Sequence, residues 1–363
     1  MPRAGQIASG PNTRLPQRVA LGVLVRSFPP AQVDLILDVA GRREQRQRLL
    51  PARLMVYFTL GMWIFSALSY EEILAEILRD IPSLAHGPAD ETASAAAIGR
   101  ARRRLGVEPL RLLFEQAAGS AAAKPGPASV NGWRSLRLNR LEIDVPGTPA
   151  NRAEFAAVST LPGATAPPAR ARLLMLTEDG TRRIAAAQVA SAADARPEQL
   201  LGAALGGDSL LIMDDRPFSA ALWNSFSRLG AEQLWPLADH VPAPAGARLP
   251  DGSQLCRLAD GADGGETAVR VVYRTGPGVP NRLATSILDH RAAPSSALIN
   301  AYDRYRGGGF GVEGIRAYRS GDRLVLRSKD PELVRQEVYA MLCVHHAIGE
   351  LVGFAGPGLA AGP

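Results

Sequence analysis

The residues whose types and spacing could do chemistry are a few carboxylates at strand ends, two runs of arginine and one pair of histidines. The apolar run Ser209–Met213 ends in Asp214-Asp215-Arg216, and alternation turns the two aspartates to opposite faces of a strand. A carboxylate at a strand end either starts a turn or offers oxygen to a divalent cation. A hard cation gives up its water only when several oxygens replace it, so one aspartate alone holds none firmly. The other acids of interest are Glu142 and Asp144 in the strand-like run Leu141–Val145, and Glu313 just beyond a Gly-rich stretch. Arg42, Arg43, Arg46 and Arg48, then Arg100, Arg102, Arg103 and Arg104, suit phosphate oxygens or a solvated helix face. His345 and His346 are adjacent on an apolar helix, where side chains point about 100° apart, so they do not chelate together. Cys256 and Cys343 form no C-x-x-C, which argues against a thiolate metal site. No G-x-S-x-G supports a hydrolase. The Gly-rich Arg304–Gly311 lacks the Lys-Ser/Thr ending of a phosphate-binding loop.

The elements that must position these groups fall into two kinds. At 363 residues the chain has material for about two domains and a sizeable core. Its 46% hydrophobic and 21% charged residues are a globular rather than a disordered composition. A net charge of +6 and a pI near 9.7 suit a polyanionic partner. Residues 1–17 read as a flexible tail with no apolar h-region. Helical spacing runs from Arg18 to Val39, broken at Pro29-Pro30, and Pro51 opens the uncharged run Leu54–Tyr70. That run is just short of a membrane span and is expected to be a core helix, with no membrane partner. Ser69, with an acid three residues on, caps a helix through Leu78, and Ser94–Leu105 and the segment after Pro109 are further helices. A linker over 119–130 follows. Strands are then expected at Leu141–Val145, Leu173–Leu176, Arg183–Ala187 and Ser209–Met213, with a short helix between Pro197 and Leu205. Pro, Gly and short β-rich runs over about 236–290 read as a β-rich insertion. An amphipathic helix from Pro331 to about Phe354 closes the chain, and 355–363 is a tail.

Several stretches resemble the DDE transposases of the insertion-element-four family. Leu326–Glu337 (LRSKDPELVRQE) is close to that family's Leu-Arg-Ser-Lys-x-Pro-(Glu/Asp)-Leu-Val-Arg-Gln-Glu, and here reads as a strand end, a turn and a helix start. The N-terminal strings LGVLVRSFPPAQVD and RLLPARLMVYFTLGMWIFSALSYEEIL resemble its helical domain over about a hundred residues. Leu211–Phe218 resembles its LLxxDRGF, and Trp223 with Trp235 its LW…GAxxLW. The resemblance implies an α/β fold: an RNase H-like core with a β-rich insertion over 131–354, preceded by an all-α domain over 18–118. It implies cytoplasmic, nucleoid-associated DNA transposition, with Mg²⁺ held by three carboxylates and element-end DNA as partner. It also implies self-association or pairing with an intact transposase, and adds Arg327 to the DNA-binding candidates.

Residue by residue, the resemblance carries over incompletely. Asp215 takes the second carboxylate's position, with Pro217 where the family has Gly. The family's LRLxALDGTxLDVPDTPAN is met by Leu136–Asn151, three residues short, and the missing residues include the DGT that carries the first carboxylate. Glu142 and Asp144 are the possible replacements, although an odd deletion reverses the side-chain alternation beyond it. The signature Tyr-x2-Arg-x3-Glu-x6-Lys falls on Tyr302, Tyr305, Gly309 and Arg316, so the third carboxylate is a glycine. Glu313, four residues on, could reach in only if its helix shifted. The glycines at 307, 308, 309 and 311 weaken that helix by about 1 kcal/mol each. The expectation is a transposase-like DNA-binding protein with a disabled metal site. The alternatives are an active enzyme using displaced carboxylates and a non-catalytic regulator of an intact transposase.

Overall fold

The computed structural model describes residues 15–44, 46, 48–84, 93–122, 129–155, 168–179, 181, 183–191, 204–213, 218–243, 246–259, 266–274, 281–304 and 325–354. Asp214–Pro217, Tyr305, Gly309, Glu313, Arg316 and nearly all of the helix expected at 197–205 lie outside them. The chain forms two compact units: 1–117 with 144–153 and 316–363, and 118–143 with 154–315.

The first unit is helical. Its elements are α1 (Leu15–Ser27), α2 (Pro30–Val39), α3 (Ala52–Ile64), α4 (Tyr70–Asp80), α5 (Ala95–Leu105), α6 (Glu108–Ala122, crossing into the second unit) and, from the far end of the chain, the closing helix. The proline pair separates α1 from α2, because the residue before a proline is pushed out of helical geometry. α3 is buried almost along its length, from Ala52 through Trp63, as an uncharged run requires. No single helix among the described residues is long and apolar enough to cross a membrane; α1 and α2 meet that composition only as a pair bent by 54°. The Ser69 hydroxyl accepts from the Glu72 amide while the Glu72 carboxylate accepts from the Ser69 amide, the reciprocal cap expected at α4.

Packing divides the chain differently from the contiguous blocks expected from composition. The closing helix packs on α1, α3 and α5 and so completes the helical core. Its Leu333, Val334, Val338, Met341 and Leu342 are buried. Each such side chain contributes about 1.5–3 kcal/mol of gross burial, which is why the helix joins this core.

The second unit is an eight-stranded mixed sheet in the order β3-β2-β1-β4-β5-β8-β7-β6. The strands are β1 (Arg134–Asp144, whose last residue enters the first unit), β2 (Arg170–Glu178), β3 (Ile184–Ala190), β4 (Ser209–Ile212), β5 (Glu232–Leu237), β6 (Gln254–Ala259), β7 (Glu266–Tyr273) and β8 (Arg282–Thr285). β1 pairs parallel with β4 and β4 parallel with β5, while β3 runs antiparallel to β2. The order 3-2-1-4-5 is that of an RNase H-like core, and β8-β7-β6 extend it antiparallel from β5. This is the α/β architecture with a β-rich insertion that the resemblance implied.

The sheet is covered on both faces. One carries α8 (Ala220–Ser227) and a core of Leu136, Leu138, Leu211, Met213, Trp223 and Trp235. The other carries α9 (Ser295–Asp303) and a core of Leu210, Ile212, Leu234, Leu298 and Tyr302. α7 (Pro149–Phe155) follows β1, and α10 (Pro331–Phe354) is the closing helix.

Candidate functional site

The site expected from the sequence would draw on β1 and β4, which run side by side, and on the chain that follows α9. Arg134 to Arg137 of β1 stand opposite Ser209 to Ile212 of β4. Just beyond β4 come the aspartates at 214 and 215, outside the described residues.

At the centre of β1 lies a group that composition did not reveal. Arg137 is fully buried. Its Nε donates to Asp179 Oδ1 at 2.8 Å, and its Nη2 to the carbonyls of Ala301 at 2.6 Å and Tyr302 at 3.4 Å. Those carbonyls belong to the last turn of α9, the negative end of its dipole, so a guanidinium is well placed there. Burial pushes the Asp179 carboxyl above its usual range, and the charge and hydrogen bonds of Arg137 oppose that without cancelling it. Beside this pair, Arg134 Nε meets Glu178 at 2.9 Å, and Asn139 Nδ2 donates to Thr177 at 2.6 Å.

The other end of α9 is fixed by the opposite charge. Pro294 caps the helix without a side chain able to accept a hydrogen bond. Asp251, from the β5–β6 connection, supplies one: its Oδ2 accepts from the Ser295 amide at 2.9 Å and hydroxyl at 2.7 Å. Burial alone would raise the Asp251 pKa, but the hydrogen bonds from Ser253 and Ser295 hold it well below the carboxylate range. The β insertion thus grips the start of α9 and β1 grips its end. Tyr302 is buried in the last turn, contributing to the core and accepting through its carbonyl.

Glu142 and Asp144 share a strand face with Leu136 and Leu138 by the period of two, the face on which Leu211 and Met213 lie. β1 runs unbroken through both. Glu142 is exposed, with its Oε2 at 3.4 Å from Arg170 of β2. The backbone carbonyl of Asp144 accepts from the Leu326 amide at 3.0 Å. Among the described residues no three His, Cys, Asp or Glu side chains are grouped to hold a metal ion. His346 Nε2 lies 3.4 Å from Glu350, and burial, with the neighbouring His346 charge, lowers the His345 pKa to about 4.

The arginines proposed to meet DNA divide into two sets. Arg102 is buried rather than exposed on α5, and Arg327 donates to the carbonyls of Leu68 and Ser66, so neither offers its guanidinium outward. Glu44 organises several of the rest. Its Oε1 lies 3.2 Å from Arg104 and 3.5 Å from Arg48, and its Oε2 accepts from the Ala52 amide at the start of α3. Arg43 pairs with Asp38 at 2.6 Å, and Arg42 donates to the Arg104 carbonyl at 3.3 Å. Arg46, Arg100 and Arg103 are exposed, with no acidic partner among the described residues.

The strand order defines an RNase H-like sheet, and the chain adds a helical unit to it. The particular lineage comes from sequence. Residues 18–115 match the family described as insertion element 4 transposase N-terminal. The transposase InsG of insertion sequence element IS4 from Escherichia coli strain K12 is 28% identical over 337 residues, covering 88% of this chain and 74% of its own. The helical unit is thus similar to that family's N-terminal domain, and most of the chain to an insertion-element-four transposase. Among solved structures, a piggyBac transposase synaptic complex with hairpin DNA aligns over 94% of this chain and 77% of its own, at 11% identity and a TM-score of 0.44. A pre-cleavage Mos1 transpososome aligns over 57% of this chain and 58% of its own, at 10% identity and a TM-score of 0.18. Strand order, not these two likenesses, defines the fold.

Proposed function

We propose that this chain is a transposase-derived DNA-binding protein that neither cuts nor joins strands. The observation that carries the reading is the fate of β1. The strand runs unbroken over the stretch in which the resemblance sets the three-residue deletion of DGT, and Glu142, next after Leu141, lies against Arg170. Gly309 brings no oxygen to the third position. With Asp215 as the one family carboxylate that the sequence keeps, the donor set does not fit two divalent cations, which need several oxygens each.

Net charge of +6, with Arg46, Arg100 and Arg103 exposed on the helical unit, supports retained affinity for a polyanion. The scaffold that would hold the missing ligands, the Arg137–α9–Asp251 clamp, is intact.

The test is an anisotropy titration of the full chain against duplex DNA at rising salt, with a nicking assay in Mg²⁺ or Mn²⁺ alongside. The expected result is affinity whose logarithm falls linearly with log salt, with no nicked or joined product. Metal-dependent nicking that Asp215→Ala abolishes would overturn the reading in favour of displaced ligands.

A further inference from the structure

Arg102 lies in a run of exposed arginines and is itself 1% exposed. Its Nε donates to Gln336 Oε1 at 2.9 Å, its Nη1 to the Tyr70 hydroxyl at 3.0 Å, and its Nη2 to the Ser328 hydroxyl at 3.1 Å and the Leu333 carbonyl at 3.3 Å. Gln336 returns two bonds from Nε2, to the carbonyls of Arg102 at 3.0 Å and Gly106 at 2.7 Å. The last turn of α5 is therefore held in one rotational setting, by its side chain and by its backbone. Arg100 and Arg103, three residues apart on that helix, are neighbours on one exposed face. Whatever fixes the setting of α5 fixes both guanidinium stems together.

The network continues into the motif 326–337. Ser328 donates from its hydroxyl to Glu337 Oε2 at 2.6 Å, and the amides of Arg327 and Ser328 donate to the same carboxylate at 3.2 and 3.1 Å. Asn151 Nδ2 donates to the Ser328 carbonyl at 3.1 Å and the Pro146 carbonyl at 3.0 Å. Thr148 donates to the Lys329 carbonyl at 2.9 Å. The residues that follow β1, the start of α10 and the basic end of α5 thus share one connected set of hydrogen bonds, buried around Arg102 and Ser328.

We infer that Arg102 is a positioning residue for nucleic-acid binding: unable to reach a phosphate itself, it sets the exposed arginines of α5 to meet a phosphate backbone as a group. The inference rests on the DNA-binding reading above. It predicts a signature that neither a direct contact nor a purely structural role produces. Each phosphate contact contributes about 0.9 to the slope of log affinity against log salt. Removing one direct contact lowers the slope by that amount; releasing α5 lowers it by about twice as much or more, through residues that are all still present.

The experiment measures that slope with the full chain and a short fluorescein-labelled duplex of mixed sequence, for wild type, Arg102→Met, Arg102→Lys, Arg100→Met and Arg103→Met. Circular dichroism checks the fold of each. Arg100→Met and Arg103→Met should each lose about one contact's worth of slope. Arg102→Met should lose at least their sum, and Arg102→Lys should not restore it, because an ammonium cannot reproduce the guanidinium fork. Should Arg102→Met fail to fold, Gln336→Leu and Ser328→Ala keep the arginine and loosen its setting, and a slope loss in either supports the inference. A folded Arg102→Met with the wild-type slope, or with a loss of a single contact, overturns it. Absence of binding by the wild type instead defeats the DNA-binding reading itself.

Discussion

Arg102 in the helical unit and Arg270 in the sheet unit are both sealed from solvent, at 1% and 0% exposure, but their surroundings differ. Arg102 donates to four acceptors, and its guanidinium carbon lies 5.9 Å from the centre of the Tyr70 ring. Arg270 donates to the carbonyl of Ala293, while its Nε and Nη1 meet no acceptor among the described residues. Burial lowers the Arg270 pKa, with the charges of Asp251 and Asp289 acting the other way. A guanidinium stays protonated throughout the physiological range, so incomplete partnering is a standing cost that it cannot relieve. The difference shows which polar features hold the fold. The arginine tied to the motif 326–337 is built into its unit; the one on the β insertion is merely accommodated.

The largest effect should follow from Arg102→Met. It takes a donor from the buried Gln336 Oε1, Ser328 hydroxyl and Leu333 carbonyl and from the part-buried Tyr70 hydroxyl, and each buried acceptor left unmet costs about 1–3 kcal/mol. Urea denaturation should show that loss; a cost below about 1 kcal/mol would mean that the network holds nothing.

Arg137→Met comes next, at about 3 kcal/mol, because it leaves Asp179 buried without its counter-charge. The sign of its pH dependence is fixed. Without Arg137 the folded-state pKa of Asp179 rises further above its unfolded value, so the stability tied to its protonation is present in acid and lost as pH rises. The penalty should be smaller in mildly acidic buffer than in mildly basic buffer, and a flat difference would contradict the pairing.

His345 shows how a buried base that can shed its proton escapes the problem. Its folded pKa of about 4 lies below the ordinary 6.5, so the unfolded state binds more protons between those values and stability falls as pH drops through them. The loss should approach about 3 kcal/mol at the lower limit. A His345→Leu variant should flatten the curve; an unchanged slope would place the titrating group elsewhere.

The smallest effect is expected of Arg270→Met, within about 1 kcal/mol of wild type or slightly stabilising, since exchanging a poorly partnered buried charge for an apolar chain is often favourable. A large destabilisation there would erase the contrast between the two arginines.

Much of this arrangement was legible in the sequence because it follows from local rules. The proline break before α2, the Ser69–Glu72 cap, the apolar α3 and the amphipathic α10 are written in spacing and residue type. The strands of the insertion were legible for the same reason. β1 proved longer than the stretch read as a strand, running Arg134–Asp144, because its apolar alternation changes phase between Leu138 and Leu141. Arg102 hid inside a basic run, although its phase gave it away: it lies four residues from Ile98 and three from Leu105, on the buried stripe. Arg137 and Asp179 had no comparable signal. A charge in a strand finds its partner through the sheet, and spacing along the chain does not record which hairpin turn comes beside it. The metal ligands were read by resemblance alone, from residues that lie largely outside the described ones.

The proposed function has the fold persisting without a working divalent centre. The most direct test is calorimetric titration of the purified full chain with Mn²⁺ and with Mg²⁺, alongside Asp215→Ala. Weak binding, the same in both proteins, is expected. Tight binding by the wild type that Asp215→Ala abolishes would contradict it, by showing that other oxygens have closed around that aspartate.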